Sequence, residues 1–414
     1  MKPLHIGIAG AGPAGLAAAL FLSRAGHRVE LIERFEKPSP VGSGLLMQPT
    51  GLTVLDALGL SPKIHALGNR IDRLHGADAL SGRTVLDVRY DALSGGRYGL
   101  AVHRAALFST LHDAVAAAGL AIRTGITLAK AETRQARTAL HDADGEIVGD
   151  YDLVVDATGA RSQLVADSVV APPIRELPWG AFWATLDCDE VPHDARALTQ
   201  RYDAAKVMIG VLPVGRAQAG EGRKAAFFWS LKTAEVEAMK QAGLNRWKAR
   251  IRDYWPEVAP FLDQITDWDQ LTLARYAHRT TLPPHADGIV FIGDSAHSTS
   301  PQLGQGANMA LLDAAALAHA LSSAATVEEG LAAYAAARRG HVRLFQLLSY
   351  AFTPFYQSDS RAIAWLRDRL VATIAKIPPT PQLLAAIVSG TLLDPFTRAG
   401  LQECRWLERT LQQA

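Results

Sequence analysis

Cysteine is nearly absent: Cys188 and Cys404 are the only two in 414 residues. Two thiols cannot build a disulfide framework or a thiolate metal site, and their scarcity fits the reducing cytoplasm. Net charge is just as scarce. Lys and Arg total 42 and Asp and Glu 41, a formal +1. That balance gives no field to draw nucleic acid or an anionic membrane. No apolar run reaches the roughly 20 residues of a membrane-spanning helix. The apolar start, HIGIAGAGPAGLAAALFL, is broken by Gly and Pro, unlike a secretory signal. Internal repeats and low-complexity tracts are missing too. What is there is a globular composition, 49% apolar and 20% charged, enough to bury a sizeable core over two or three units.

The first 35 residues carry the strongest local signal. HIGIAGAGPAGLAAALFLSRAGHRVELIER reads strand, Gly-rich turn, helix, strand. Gly10, Gly12 and Gly15 form the G-x-G-x-x-G spacing. The first allows a tight turn, the second lets backbone approach a pyrophosphate, and the third lets helix and strand pack closely. A pyrophosphate would sit at the helix N-terminus, where free N–H groups and the helix dipole favour negative charge. Glu33 ends the second apolar run, placed to accept hydrogen bonds from ribose hydroxyls. Its charge disfavours a 2′-phosphate, so FAD or NAD suits this site better than NADP.

Further along, residues 43–60 predict an extended segment, then a short helix from Pro49 to Gly59. Residues 71–90 alternate around Ser81-Gly82 and read as a hairpin. Residues 103–119 predict an amphipathic helix stopping at Gly119. Strands flank a turn at Asp144-Gly145. From about 175 to 275 aromatics concentrate, among them Trp179, Phe182, Trp183, Tyr202, Phe227, Phe228 and Trp229. Alternating runs such as KVMIGVLPVG and KAAFFWSL predict a second, mostly antiparallel sheet, with 219–223 as a hairpin tip. Alternation turns Met208 and Gly210 to one face. Met208, Tyr202 and Trp229 are candidates to line a pocket for a flat apolar substrate, although a plain sheet core would use the same residues. Beyond 307 the pattern is helical, with a turn at 378–381.

A second motif stands far from the first. In IVFIGDSAHSTSPQLGQGANMALLDA, residues 289–314, an apolar run stops at Gly293-Asp294, a polar loop follows, and a helix begins near Asn308. A long cofactor needs such a pair: one site for the pyrophosphate, another for the ribityl chain and ring. Asp294 can accept from ribityl hydroxyls. The loop 301–308 can offer N–H groups and a positive helix end to the pyrimidine edge of a reduced flavin. His297 is better explained as a buried, hydrogen-bonded histidine than as a base, and no residue stands out as an acid–base catalyst.

Taken together, GAGPAG (10–15), the Arg104 of VHRAALFSTL, DATGARS (156–162) and the 293–314 motif resemble the single-component FAD-dependent aromatic hydroxylases, the para-hydroxybenzoate-hydroxylase-like flavin monooxygenases. The resemblance runs in order along nearly the whole chain. It implies an α/β fold: a Rossmann-like FAD-binding domain (1–70, 99–174 and 276–345), an inserted mostly antiparallel substrate sheet (71–98 and 175–275) and a C-terminal helical region (346–414). It implies non-covalent FAD, NADPH or NADH as electron donor, and molecular oxygen, which forms a C4a-hydroperoxide that hydroxylates a small aromatic or apolar, electron-rich substrate. By motif, Gly10, Gly12, Ala14 and Gly15 would meet the pyrophosphate. Glu33 and Arg34 would lie at the adenosine ribose, Arg104 and Asp294 along the FAD chain, Pro301 near the ring, and Gly306, Ala307 and Asn308 at the pyrimidine edge. Four departures stand out. Thr158-Gly159 replaces Asp-Gly, Val165 stands where an Arg is usual, Ser295 replaces Ala, and Pro40-Val41 stands where a basic residue is usual. The first two weaken the case for an NAD(P)H site, leaving open an FAD oxidase, a flavoprotein that modifies a partner protein, or a non-catalytic FAD module. The Trp-x-Trp-x-Ile-Pro motif of the flavin halogenases is absent. The sequence sets neither substrate identity nor oligomeric state.

Overall fold

The computed structural model describes residues 1–37, 43–165, 174–371, 374–375 and 377–406. The departure at Pro40-Val41 lies outside them. A six-stranded sheet runs in the order His285–Ala286, Ile289–Phe291, Leu153–Asp156, His5–Ala9, Arg28–Ile32 and Ile122–Arg123. All its pairings are parallel except that of the His285–Ala286 edge. Its central strands are largely buried, Leu153–Asp156 and Ile289–Phe291 fully so, as expected where helices cover both faces. The helix Pro13–Arg24 starts with proline in its first turn and buries an alanine- and leucine-rich stripe. That stripe packs against the equally small-residue helix Gly306–Ser323, because Ala lets two helix axes come close.

A seven-stranded sheet follows the order Thr272–His278, Arg175–Asp187, Lys224–Lys232, Val207–Gly215, Ala197–Asp203, Arg73–Asp78 and Thr84–Arg89. Only the contact between Ala197–Asp203 and Arg73–Asp78 is parallel. The 71–90 hairpin thus joins the later strands across more than 100 residues of chain. A small three-stranded sheet, Gly44–Met47, Gly99–His103 and Asn69–Ile71, lies between the two larger ones.

Within 175–275 the expectation of sheet alone needs correction. Three helices, Val236–Gln241, Leu244–Tyr254 and Ala259–Asp263, cover the outer face of the sheet. The signal was present in LNRWKARIRDY, where Trp247 and Ile251 stand four apart and are both buried. Dense charge between them hid that stripe. Trp229 lies in this outer core, 6.3 Å from Trp247 between ring centroids and 1% exposed.

Trp229→Ala is therefore expected to lower stability by about 3–5 kcal/mol, the usual cost of emptying a buried Trp site. The folded variant should keep its full complement of bound cofactor. Thermal or denaturant unfolding measures the first, and a loss under about 1 kcal/mol would contradict the buried placement.

Candidate active site

Four chain turns leave the same edge of the parallel sheet, where its strands end. Gly10 follows His5–Ala9 with φ +97°, Glu33 follows Arg28–Ile32, Ala157 follows Leu153–Asp156, and Gly293 follows shortly after Ile289–Phe291 with φ +62°. Ligands of open parallel sheets bind at this edge. The first loop is shaped by contact. A Cβ on Gly15 would lie 1.9 Å from the Gly10 carbonyl oxygen, whereas one on Gly12 would meet nothing within 4 Å. Gly15 is glycine for packing, and Gly12 is glycine beside open space. Glu33, almost buried, accepts from the Ala11 N–H at 2.7 Å and the Phe35 N–H at 3.2 Å. Part of its job is thus to hold the Gly-rich loop itself. Arg34 is exposed and lies over the Phe35 ring.

The second loop is pinned to the first. A Cβ on Gly293 would lie 3.1 Å from that of Ala310 and 3.3 Å from that of Ala14, so the two motifs meet through small residues. The Gly293 N–H donates to the fully buried Asp313 at 2.8 Å, and Arg338 Nε donates to the same carboxylate at 2.7 Å. His297 Nε2 closes on it too. Burial works to raise this carboxyl, but the His297 and Arg338 partners overcome it and hold it well below the usual range. His297 is thus a buried hydrogen-bonded histidine, as expected.

Two side chains face the resulting cleft with no hydrogen-bond partner among the described residues: Arg104 and Asp294, both accessible to solvent. The protein crowded around Asp294 pushes its carboxyl up, while His297 and Arg104 pull it down. A Cβ on Gly306 would lie 3.8 Å from Asp294 Oδ1, so this carboxylate stands at the start of the helix Gly306–Ser323. That helix begins two residues before the expected Asn308. The N–H groups of Gly306, Ala307 and Asn308 lie in its first turn, beyond the reach of intrahelical carbonyls. The Asn308 side chain is otherwise engaged: it accepts from the Gln48 N–H at 2.8 Å and donates to Leu46 O and Gly304 O. Pro301 opens a short 3-10 turn beside it.

The departures at 158 and 165 have physical reasons. The Thr158 hydroxyl and N–H both donate to the buried Asp156 carboxylate, at 2.7 and 2.9 Å, and Ser162 donates to its other oxygen. Burial pushes Asp156 up and these bonds oppose it. An aspartate at 158 would bring like charge instead of a donor. Val165 is fully buried among Leu164, Ile289 and Phe291. Sequence reasoning missed Arg279, nearly buried, which donates to Ala160 O at 2.9 Å beside this turn. No local pattern marks it.

On the substrate sheet, Met208 and Tyr202 are register partners and share the inner face, as alternation predicts. Trp229 pairs with Ile209 and turns the other way. The expectation that it shares their face is corrected: period-2 alternation puts 229 outside and Phe228 inside. Trp183, Phe228 and Tyr276 complete the inner face. Trp183 Nε1 donates to the Tyr276 hydroxyl at 3.1 Å, and the Trp183 and Phe228 rings lie 4.7 Å apart. Three contacts tie this face to the cleft. Thr185 bonds Ser43 and His103, Ser300 N donates to His278 Nε2 at 3.1 Å, and Tyr276 feels the Arg104 charge.

A family model described as an FAD binding domain matches residues 4–346. The chain belongs to this FAD-binding family. The 3-amino-4-hydroxybenzoate 2-monooxygenase of Streptomyces cremeus is 30% identical over 78% of this chain and 79% of its own length. The aurachin C monooxygenase/isomerase of Stigmatella aurantiaca is 26% identical over 96% of this chain and 98% of its own. Among solved structures, Klebsiella pneumoniae HpxO complexed with FAD and uric acid superposes with a TM-score of 0.77 at 18% identity, over 94% of this chain and 96% of that one. The protein is an FAD-dependent monooxygenase with the expected α/β architecture. Its residues fit the cofactor: the open space at Gly12, two helix N-termini at one sheet edge, and Arg104 and Asp294, whose side chains have no hydrogen-bond partner among the described residues. Among the described residues no helix is long and apolar enough to cross a membrane.

Behind the cleft of this monooxygenase, His341 Nε2 bonds Gly390 O at 2.9 Å, and Nδ1 faces Arg338. Burial, then the Arg338 charge, lower the His341 pKa from 6.5 to about 3. The unfolded chain takes this proton near the ordinary value and the folded chain refuses it. Stability therefore falls as pH drops from about 6.5 toward 3, by up to about 1.4 kcal/mol per pH unit. Melting temperature measured from pH 7 to pH 4 should decline, and His341→Gln should flatten part of that slope. An unchanged slope in the variant would contradict the neutral, buried assignment.

Proposed function

We propose that the enzyme hydroxylates a small aromatic or apolar, electron-rich substrate, with FAD held non-covalently, NADH or NADPH as reductant and O2 as co-substrate. The observation that carries the reading is the convergence of two helix N-termini, Arg104 and Asp294 at one edge of the parallel sheet, a cleft tied to the aromatic sheet face through the Ser300–His278 bond. Reduced FAD, when bound, supplies the electrons that activate oxygen. The protein binds, orients and keeps water out.

In this reading the N–H groups of the Gly10–Gly15 turn, with Gly12 and Ala14 foremost, cradle the pyrophosphate. Glu33 takes ribose hydroxyls with its remaining lone pairs, and Arg34 borders the adenosine end. Arg104 neutralises phosphate charge and Asp294 accepts from ribityl hydroxyls. Pro301 lines the ring. The N–H groups of Gly306, Ala307 and Asn308 face the pyrimidine edge, where the helix dipole favours negative charge. The Asn308 side chain positions rather than touches, because it ties the strand Gly44–Met47 to the helix start. Met208 belongs to the substrate face. Tyr202 supports it from beneath, 1% exposed. The relatives named as monooxygenases favour this reading over an oxidase or a non-catalytic module, and the two buried cysteines, Cys188 and Cys404, suit a cytoplasmic enzyme.

Heat or acid should release free FAD from the yellow protein. NADH or NADPH oxidation with O2 uptake should rise when an aromatic substrate is added, with a hydroxylated product. FMN, a covalently retained flavin, or no nucleotide oxidation with any aromatic would contradict the proposal. Glu33→Ala and Asp294→Ala should each weaken FAD binding about five- to hundredfold, roughly 1–3 kcal/mol for a lost charge-assisted hydrogen bond to the cofactor. Titration of the apo-protein with FAD reads this directly. Glu33→Ala should be the worse, since it also frees the Ala11 N–H.

A further inference from the structure

Three residues, Ser298, Thr299 and Ser300, carry the chain from the short helix Asp294–His297 to the 3-10 turn Pro301–Leu303. They lead into the loop that borders the flavin in the reading above. Ser298 and Ser300 are almost fully buried. On the long helix Val327–Tyr356, Gln346, Ser349 and Thr353 stand three and four residues apart, so they form one polar stripe. That stripe meets this segment. Gln346 Nε2 donates to Ser298 O at 3.3 Å, and the two hydroxyls bond those of Thr299 and Ser300.

Each hydroxyl has one hydrogen to give, which fixes the direction of every bond. Thr353 donates to the Ser349 carbonyl at 2.6 Å, so toward Ser300 it accepts. Ser300 donates to Thr353 at 2.8 Å and accepts from Ser349 at 2.8 Å. Ser349 in turn accepts from Thr299 at 2.5 Å. All four hydroxyl hydrogens are used, each once. The members of such a chain polarise one another, and the loss of one weakens the rest.

Ser300 is also held from the substrate sheet. Its N–H donates to His278 Nε2 at 3.1 Å. That nitrogen therefore carries no hydrogen, and the ring is neutral with its hydrogen on Nδ1. Burial, then the Arg175 charge, lower the His278 pKa and keep the ring in this form. His278 ends the strand Thr272–His278, two residues beyond Tyr276, and alternation puts both on the same side. Tyr276 in turn takes the Trp183 indole N–H. A single residue, Ser300, thus joins the substrate sheet, the long helix and the flavin-facing loop.

Resting on the function proposed above, we infer that His278 and Ser349 are positioning residues for the hydroxylation, acting through Ser300 to fix the spacing between the substrate sheet and the loop that borders the flavin. With the spacing kept, NAD(P)H, a proton, O2 and the substrate RH give NAD(P)+, ROH and water. With the spacing lost, NAD(P)H, a proton and O2 give NAD(P)+ and hydrogen peroxide, and RH leaves unchanged.

The test compares FAD-loaded His278→Leu, which removes the acceptor, with His278→Gln, whose Oε1 can accept from Ser300. The assay uses the aromatic that stimulates nucleotide oxidation in the wild type. In His278→Leu the ratio of hydrogen peroxide to hydroxylated product should rise about three- to tenfold, the scale of one lost neutral hydrogen bond. The visible circular dichroism of the bound flavin, read without substrate, should change as well, and His278→Gln should return both toward the wild type. Ser349→Ala should raise the same ratio. The double variant with His278→Leu should fall short of the product of the two single effects, because both act through Ser300. Where Ser349→Ala does not fold, the two His278 variants decide alone. An unchanged peroxide ratio in His278→Leu, a Gln variant no better than Leu, or independent effects in the double variant overturns the inference. Failure of the underlying function looks different and shows in the wild type: no FAD, or no nucleotide oxidation with any aromatic.

Discussion

The buried Asp313 carboxylate is the point on which the site depends. It receives the Gly293 N–H at the end of a parallel strand, and Arg338 from the long helix Val327–Tyr356. His297, one turn beyond Asp294, closes the set. A buried charge with this many donors holds together, and removal of one partner leaves the rest uncompensated. Through it, the backbone that aims Asp294 at the cleft is fixed by a residue that never faces the cleft. The same junction presses Gly293 between Ala14 and Ala310, so the two nucleotide motifs cannot shift independently.

Around this junction the chain divides its work. The parallel sheet delivers loop ends, and the loops offer N–H groups, one carboxylate and one guanidinium. The antiparallel sheet delivers a flat aromatic surface on one face and packs a helical cover on the other. Arg104 and Asp294 in the first unit face the cleft, while the inner face of the second carries Trp183, Phe228, Tyr276 and Met208.

Much of this was legible from residues alone, for different reasons at different places. The turn at Gly10–Gly15 and the break at Gly293-Asp294 are local, because a few adjacent residues set the backbone. The hairpin at 71–90 and the helix at 103–119 followed from periodicity and their glycine stops. The facing of Met208 against Ile209 followed from strand alternation, yet Trp229 was misread because its register was unknown until strands were paired. The helices at 236–263 hid behind charged residues. Arg279 and Arg338 act across more than a hundred and about twenty-five residues of sequence to Ala160 and Asp313, and nothing nearby in the chain announces them. The side chain of Asn308 was legible as part of a motif, but its use as a strand-to-helix tie was not.

The central claim is that both motifs serve one FAD molecule, with its ring edge at the first turn of the helix Gly306–Ser323. A crystal structure of the FAD-loaded enzyme tests it most directly. The account predicts the pyrophosphate over Gly12 at the start of the helix Pro13–Arg24, Asp294 on the ribityl chain, and the flavin pyrimidine edge within hydrogen-bond distance of the Gly306–Asn308 N–H groups. A flavin ring lying away from that turn, or a pyrophosphate away from Gly12, would contradict it.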